Sequence, residues 1–404
     1  MNEKQLQATS GRLERFMTEL LAGIGRSDRR KQGARYIQGL LLDGERKSIE
    51  PLAARVPGGN VQALQQFVGQ SPWAWEPVRE QLAQRMQEAL LPTAGWIIDD
   101  TGFPKQGKDS VGVARQYSGT LGKVGNCQIA VSIHLTTAEE STPLDWVLYL
   151  PREWIDDPER CRKAGVPENT VFRTKPELAL ALIDQLGGWR LTKLPVLADA
   201  AYGRSTEFRQ GLVDRQLQYV VGVEPDTAIW TEPTRRVQPV RKPGKGRPQV
   251  PYYQDKPTSL EAMATALSAG EWKTVRWREG SRGPQQSRFA RRRVQPAHGH
   301  VHNQAELEEV WVLIEWPADQ QAPTKYWFSN LPRDTALKRL VRLAKLRWRV
   351  EQNYQQLKEE LGLDHYEGRG WSGWHHHVTL VCLAYAFLLL ERQHTKKNSG
   401  DNSA

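Results

Sequence analysis

Gly95-Trp96-Ile97-Ile98-Asp99-Asp100-Thr101 is a short apolar run that ends on two acids and a hydroxyl, and its reading decides the fold. The apolar residues are consecutive instead of falling at intervals of three and four, so they read as a buried strand and not as a helical stripe. A carboxylate placed after such a strand lies at the sheet edge where α/β folds commonly present a site. Charge is costly to desolvate, so the acid needs a cation, a shared proton or solvent. Taken singly, either acid reads first as a turn or cap residue. Neighbouring strand residues face opposite sides, and the residues alone leave open which of Asp99 and Asp100 faces a site.

Outward from this stretch, Gln128 to Thr137 and Leu144 to Leu150 read as two further strands. Thr174 and Glu177 form a capping-box pattern ahead of Leu178, Leu182 and Leu186, with Gly187-Gly188 as the stop. An apolar run from Leu194 to Ala198 then ends on Asp199, Ser205 caps another helix, and Leu217 to Val223 is again strand-like. The order β-β-β-α-β-α-β places this part in the α/β class.

The first ninety or so residues read as helices. Asn60 caps one whose Val61, Leu64, Phe67 and Val68 share a face, and Ser71-Pro72 opens another that ends near Leu91. Ile49, Leu52, Ala53 and Val56 precede a Pro57-Gly58-Gly59 turn, a helix-turn-helix rhythm that fits a DNA-reading module and a packing bundle equally well. Residues 225–332 break the alternation with a Pro-, Gly- and Arg-rich stretch, Arg235-Arg236 through Arg247-Pro248, followed by strand-like runs such as Val310 to Trp316. From Asp334 a helical pattern returns through Glu360, with Leu340, Leu343, Leu346 and Val350 in register. The expected organisation is a helical, candidate DNA-binding domain at 1–92, an α/β core at 93–224, a β-rich insertion at 225–332, core helices at 333–394 and a disordered tail at 395–404.

The chain has 404 residues, enough for more than one hydrophobic core. Lys and Arg number 56 against 46 Asp and Glu, a charge of +10 that suits a polyanion such as nucleic acid, although a basic pI also serves solubility alone. Cys127, Cys161 and Cys382 are scattered without metal-site spacing, which fits a reducing cytoplasm. The N-terminal residues lack the apolar core of a signal peptide, and the apolar run Val378 to Leu390 is short for a membrane span and reads as a buried helix. His375-His376-His377 is expected to be the polar start of that helix, since consecutive helical residues point in different directions and rarely share one ion. No phosphate loop appears, so no ATP hydrolysis is expected.

A third acid stands in Arg347-Trp348-Arg349-Val350-Glu351, followed by Lys358. Offsets of four and seven put Arg347, Glu351 and Lys358 on one helical face, with Val350, Tyr354 and Leu357 free to face a core. By itself such a stripe is a solvated face. Together, Asp99-Asp100-Thr101, Ala198-Asp199-Ala200-Ala201-Tyr202 and the Glu351 segment resemble the DDE transposases of bacterial insertion sequences. They are most similar to the branch with a Tyr-Arg-Glu-Lys signature, and within it to the insertion-sequence family numbered 701. Gly102-Phe103-Pro104-Lys105-Gln106-Gly107-Lys108 and Tyr366-Glu367-Gly368-Arg369-Gly370-Trp371 resemble it too, so the likeness covers nearly the whole chain.

The resemblance implies an RNase H-like catalytic domain whose acids are Asp99, Asp199 and Glu351. Thr101, two residues on, favours Asp99 over Asp100, which stays as the alternative ligand. The signature's Tyr falls on Ala344, a departure. The three carboxylates would hold two Mg2+ ions, or Mn2+ in their place, for phosphodiester cleavage and strand transfer. Arg347, Arg349 and Lys358 would contact DNA phosphates, Trp348 would stack on an unpaired base or else fill a core, and Arg291, Arg292 and Arg293 would form a basic patch, with Arg235, Arg236, Arg241, Lys242, Lys245 and Arg247 as a second. Pairing of two element ends implies a homodimer. A transposase-derived DNA-binding regulator, or a nuclease without strand transfer, would keep much of the same surface.

Overall fold

The computed structural model describes residues 3–237, 252–280, 283–297 and 308–400. Arg241, Lys242, Lys245 and Arg247, and the last four residues of the expected tail, lie outside the described residues.

Five helices open the chain: α1 (Glu3–Leu20), α2 (Ser27–Leu41), α3 (Ile49–Arg55), α4 (Val61–Gly69) and α5 (Glu76–Ala89). Asn60 caps α4 as its position suggests, its side-chain oxygen accepting from the Ala63 amide at 2.8 Å. α5, by contrast, starts at Glu76 and not at Ser71-Pro72. Trp73 explains the delay, because its buried ring stacks between Phe67 and His376 and holds the chain out of helix until Trp75.

Four strands follow, β1 (Gly95–Pro104), β2 (Ala114–Ser118), β3 (Lys123–Thr136) and β4 (Ser141–Tyr149), and then three helices, α6 (Arg152–Ile155), α7 (Pro158–Lys163) and α8 (Lys175–Gly188). β3 pairs with β2 from Lys123 to Cys127 and with β4 from Ile129 onward. Every residue of β3 from Cys127 to Thr136 is buried, so the polar residues Ser132, His134 and Thr136, at every second position, lie inside the protein. The Thr174 capping box forms as expected and starts α8.

Next come β5 (Val196–Ala198), α9 (Ala200–Gly203), α10 (Thr206–Asp214), β6 (Tyr219–Val223), β7 (Ala228–Trp230), β8 (Arg236–Val237), β9 (Tyr252–Tyr253), β10 (Thr258–Ser259), α11 (Leu260–Thr265), β11 (Lys273–Gly280), β12 (Gly283–Pro296), β13 (Val310–Trp316) and β14 (Lys325–Ser329). The helices α12 (Leu337–Leu346), α13 (Trp348–Glu359) and α14 (Trp371–Gly400) complete the described chain. The helix expected without interruption from Asp334 through Glu360 is therefore broken at Arg347, and helix continues past Thr395 to Gly400, where a disordered tail was expected. Lys396 reaches Glu140 at 3.0 Å and Glu139 at 3.5 Å, which ties down the start of that extension.

The chain is α/β with mixed sheet pairing, and it divides into two compact units. The first holds residues 1–93, 98–192 and 349–404; the second holds 94–97 and 193–348. In the second, β5 pairs in parallel with the first residues of β1 and with β6, β6 pairs antiparallel with β14, and β13 and β12 extend the ladder. The β-rich stretch after residue 225 is thus continuous with β6 and does not stand apart.

The first unit departs from the expected layout in the same way, since the N-terminal helices share it with β2, β3 and β4. A buried guanidinium shows why. Arg79 of α5 is 3% exposed, and its Nη1 donates to Asp145 Oδ1 of β4 and to the Trp146 carbonyl, each at 2.8 Å. Its Nε donates to Thr379 Oγ1 at 2.7 Å, and its Nη2 reaches His375 Nδ1 at 3.3 Å and the His375 carbonyl at 3.1 Å, both on α14. α14 is long and apolar enough to cross a membrane by composition, yet 89% of its most apolar window is buried in this unit. Its histidines do not converge: His376 faces the Val68 and Trp73 carbonyls, and His377 faces Tyr36.

Arg79→Ala leaves the Asp145 charge buried without its partner, and the expected loss is about 3–5 kcal/mol of unfolding free energy in urea denaturation. Arg46→Ala, which removes an exposed pair with Glu367, is expected to change the same quantity by less than about 1 kcal/mol.

Candidate active site

Alternation along β1 separates the two neighbouring acids. Asp99 and Thr101 lie on one face and are both buried, whereas Asp100 lies on the other, half-buried. Asp100 Oδ2 pairs with Lys175 Nζ at 2.7 Å, at the N-terminus of α8. Asp99 Oδ1 accepts from the Asp100 amide at 2.8 Å.

The Thr101 side of β1 meets α13 through Lys358. The ammonium donates to Thr101 Oγ1 at 2.9 Å, to the Gly102 carbonyl at 2.8 Å and to Thr120 Oγ1 at 3.1 Å. All three of its protons are therefore engaged inside the protein. Burial pulls its pKa below the usual lysine value, against the upward pull of Asp364. Lys358 was expected to meet a DNA phosphate; in the structure it fastens the Glu351 helix to the Asp99 strand. Glu351 is exposed and lies seven residues, two turns, before Lys358 on α13.

A buried polar chain fixes the other face of α13. Asn353 is 3% exposed, and its Oδ1 lies 3.0 Å from His134 Nδ1 of β3 and 2.6 Å from Ser141 Oγ of β4. Its Nδ2 donates to the Ser141 carbonyl at 3.1 Å and to the Tyr385 hydroxyl at 2.7 Å. His134 Nε2 lies 2.9 Å from Ser132 Oγ, which lies 2.7 Å from the Tyr354 hydroxyl. The set closes if His134 is neutral, donating through Nδ1 and accepting at Nε2. Burial agrees, pushing the His134 pKa down to about 4. Val350 and Leu357 are buried on α13 and Tyr354 half-buried, as expected. Asn353 and His134 were not foreseen as site-shaping residues, although Ser132, His134 and Thr136 fall at every second position of an otherwise apolar strand.

Asp199 belongs to the second unit and follows β5 directly. Its Oδ1 accepts from the Ala201 amide at 2.9 Å and the Tyr202 amide at 3.4 Å, capping the single turn of α9. Gly203 then packs flush on β6: a Cβ there would lie 1.9 Å from the Gly222 carbonyl oxygen, so only glycine allows this turn to seat. Arg347 stands at the joint between α12 and α13, half-buried, and belongs to neither helix.

Several residues expected on DNA are engaged within the protein. The Arg278 guanidinium lies 3.7 Å over the Trp348 ring, and Arg349 donates to the Ala138 carbonyl at 2.7 Å. The three arginines of β12 alternate across the strand and form no single basic face. Arg291 and Arg293 pack over Trp311, at 4.5 and 5.3 Å, and donate to the Thr335 and Glu309 carbonyls, while Arg292 pairs with Glu271 at 2.7 Å. The segments Gly102–Lys108 and Tyr366–Trp371 do come together: Lys105 Nζ donates to the Tyr366 carbonyl at 2.5 Å, and the two line a cavity of about 420 Å³ with Arg46.

Among the described residues no three His, Cys, Asp or Glu side chains are already gathered as a cation site. Asp99, Asp199 and Glu351 each offer carboxylate oxygens, the donor chemistry that hard divalent cations select.

A family model described as DDE superfamily endonuclease matches residues 19–284. That span includes Asp99, Asp100 and Asp199 and ends before Glu351. A protein of Microchaete diplosiphon described as a probable transposase for insertion sequence element IS701 is 32% identical over 205 residues, 50% of this chain and 50% of that relative. The chain thus aligns with about half the length of the relative.

The neutral His134 makes folding sensitive to acid. Its folded pKa of about 4 lies below the ordinary histidine value of 6.5, so below pH 6.5 the unfolded chain binds more protons, and stability falls as pH drops from 6.5 toward 4. His377, also about 4, acts in the same direction. Each shift is worth roughly 3 kcal/mol at full effect, and urea midpoints measured between pH 7 and pH 4 are expected to fall throughout that window.

Proposed function

Because this chain belongs to the DDE superfamily of endonucleases, we propose that it is the transposase of an insertion sequence, cutting the ends of its element and joining them to target DNA. The observation that carries the site assignment is the Lys358 ammonium on Thr101 and Gly102, which fastens the Glu351 helix to the strand of Asp99. The catalytic domain is read as RNase H-like, with acids on the first strand, after the strand β5 and on the late helix α13.

Asp99, Asp199 and Glu351 would hold two Mg2+ ions, with Mn2+ as a substitute. The ions supply an activated nucleophile and stabilise charge on the leaving oxygen. The chain's own residues prepare that site. The Ala201 and Tyr202 amides orient the Asp199 carboxylate, the Asp100 amide orients Asp99, and Asn353 and Lys358 fix α13 from its two sides. Asp100 is assigned a structural role through Lys175. Arg347, at the start of the Glu351 segment, is placed on the DNA backbone, where a guanidinium suits a phosphate. The substrate is DNA, and synapsis of two ends makes the working form a homodimer.

The test is cleavage of labelled element ends with magnesium. Asp99→Ala, Asp199→Ala and Glu351→Ala are each expected to lose about a thousandfold or more in rate, the loss of several kcal/mol of transition-state stabilisation. Asp100→Asn is expected to stay within about tenfold of wild type. Activity surviving in any of the three alanine variants removes that residue from the site, and loss in Asp100→Asn alone reverses the choice between neighbours.

A further inference from the structure

The β2–β3 hairpin carries a surface that the three acids do not use. Its register puts Tyr117 opposite Val124, and they are 62% and 51% exposed. The Tyr117 ring and hydroxyl have no partner among the described residues. Arg115 lies two positions back on the same face, exposed and opposite Asn126, whereas Lys123, opposite Ser118, belongs to the other face. Among the described residues Arg115 is in no ion pair.

The turn that presents this surface is held firmly. Gly122 takes a φ of 62°, the left-handed conformation that favours glycine. Leu121 folds across Gly125, where a Cβ would sit 2.5 Å from its Cδ1. Thr120 accepts from Lys358 at 3.1 Å and lies 3.3 Å from the Gly102 amide, so the tip is bonded to both the strand of Asp99 and the helix of Glu351.

An exposed ring with an apolar neighbour and an uncommitted cation on the same face matches one occupant by its chemistry, a nucleotide whose base is unstacked. The ring accepts any base face, and the guanidinium meets a flanking phosphate. A duplex interior offers no free base face, whereas a broken or frayed end does. We propose that the β2–β3 hairpin is a platform for the terminal base of a DNA end, with Tyr117 stacked on the base and Arg115 on an adjoining phosphate. The proposal rests on the reading of this chain as an enzyme that breaks DNA, and it adds where the broken end is held.

The test uses the full chain without divalent metal, so that binding is read apart from cleavage. The probe is an element-end duplex with 2-aminopurine in a short single-stranded overhang, compared with the blunt duplex. Wild type and Tyr117→Phe are expected to quench the fluorophore. Tyr117→Leu, which keeps apolar bulk without a ring, and Tyr117→Ala are expected to lose the quenching and to bind the overhang about tenfold more weakly, with blunt-duplex binding unchanged. Arg115→Ala is expected to weaken overhang binding and flatten its salt dependence. Circular dichroism verifies that the variants fold. Quenching that persists in Tyr117→Ala overturns the proposal, as does a Tyr117→Ala change in oligomeric state by light scattering without a change in quenching, which would make the patch an interface between copies. Asp99→Ala is expected to quench normally, so failure of the metal site and failure of the platform give different results.

Discussion

The position of Glu351 depends on a neutral histidine buried under its helix. His134 can donate to Asn353 and accept from Ser132 only when it carries one proton, and Asn353 in turn holds the Ser141 carbonyl and the Tyr385 hydroxyl. Every member is a polar group removed from water, where an unmet hydrogen bond costs about 1–3 kcal/mol. A slip of α13 by one residue would orphan several of them at once. Apolar packing by Val350 and Leu357 favours burial of this face but would tolerate small rotations; the hydrogen bonds do not. The rotation of the helix, and with it the direction of Glu351, is set by polar satisfaction in the core.

The same device recurs where the chain continues from one unit into the other. In the second unit Lys345 of α12 pairs with the buried Glu315 of β13 and lies 4.6 Å from the Trp277 ring. In the first, Lys358 of α13 is spent on Thr101, Gly102 and Thr120. Burial lowers the pKa of both lysines while acidic neighbours raise it, Glu315 for Lys345 and Asp364 for Lys358. Each helix is therefore locked to the sheet of its own unit by a desolvated cation, and the segment Arg347-Trp348-Arg349 joins the two. Its charge pattern has a structural share: Arg349 binds the Ala138 carbonyl, and Trp348 receives Arg278. A helical stripe of cations and one acid resembles a DNA-facing surface in sequence because the pattern records charge and not direction.

Much of the fold was legible because its signals are local. The Asn60 cap, the Thr174 capping box and the apolar runs at β1, β3, β5 and β6 each depend on residues a few positions apart. What was hidden depends on distant partners. Nothing near Ser71 or Pro72 shows that Trp73 will stack on His376, which delays α5. Nothing near Arg79 shows that Asp145 and Thr379 will meet it, which merges the N-terminal helices with β4 and α14. The β12 arginines read as a patch in sequence, but a strand distributes neighbours to opposite faces, and Trp311 and Glu271 take them separately. Of the candidate site, the three motifs were visible as residues, whereas the supporting Asn353 and His134 became intelligible only once β3 and α13 were seen together.

The alternation that scattered the β12 arginines also resolves the Asp99-Asp100 pair. Two adjacent carboxylates on a buried strand would repel if they shared a face, and each would raise the other's pKa. Opposite faces remove that conflict and let each acid meet a different requirement. Asp100 receives the Lys175 ammonium at the N-terminus of α8, which neutralises one charge and ties that helix to β1. Asp99 has its backbone neighbour's amide and lies on the face where Lys358 grips Thr101. The Lys358 ammonium could have paired with an acid on this face. Its protons are directed instead at two hydroxyls and a carbonyl, which accept the donors while remaining uncharged. The ammonium thus fastens α13 to the face of β1 that carries Asp99 through uncharged acceptors alone.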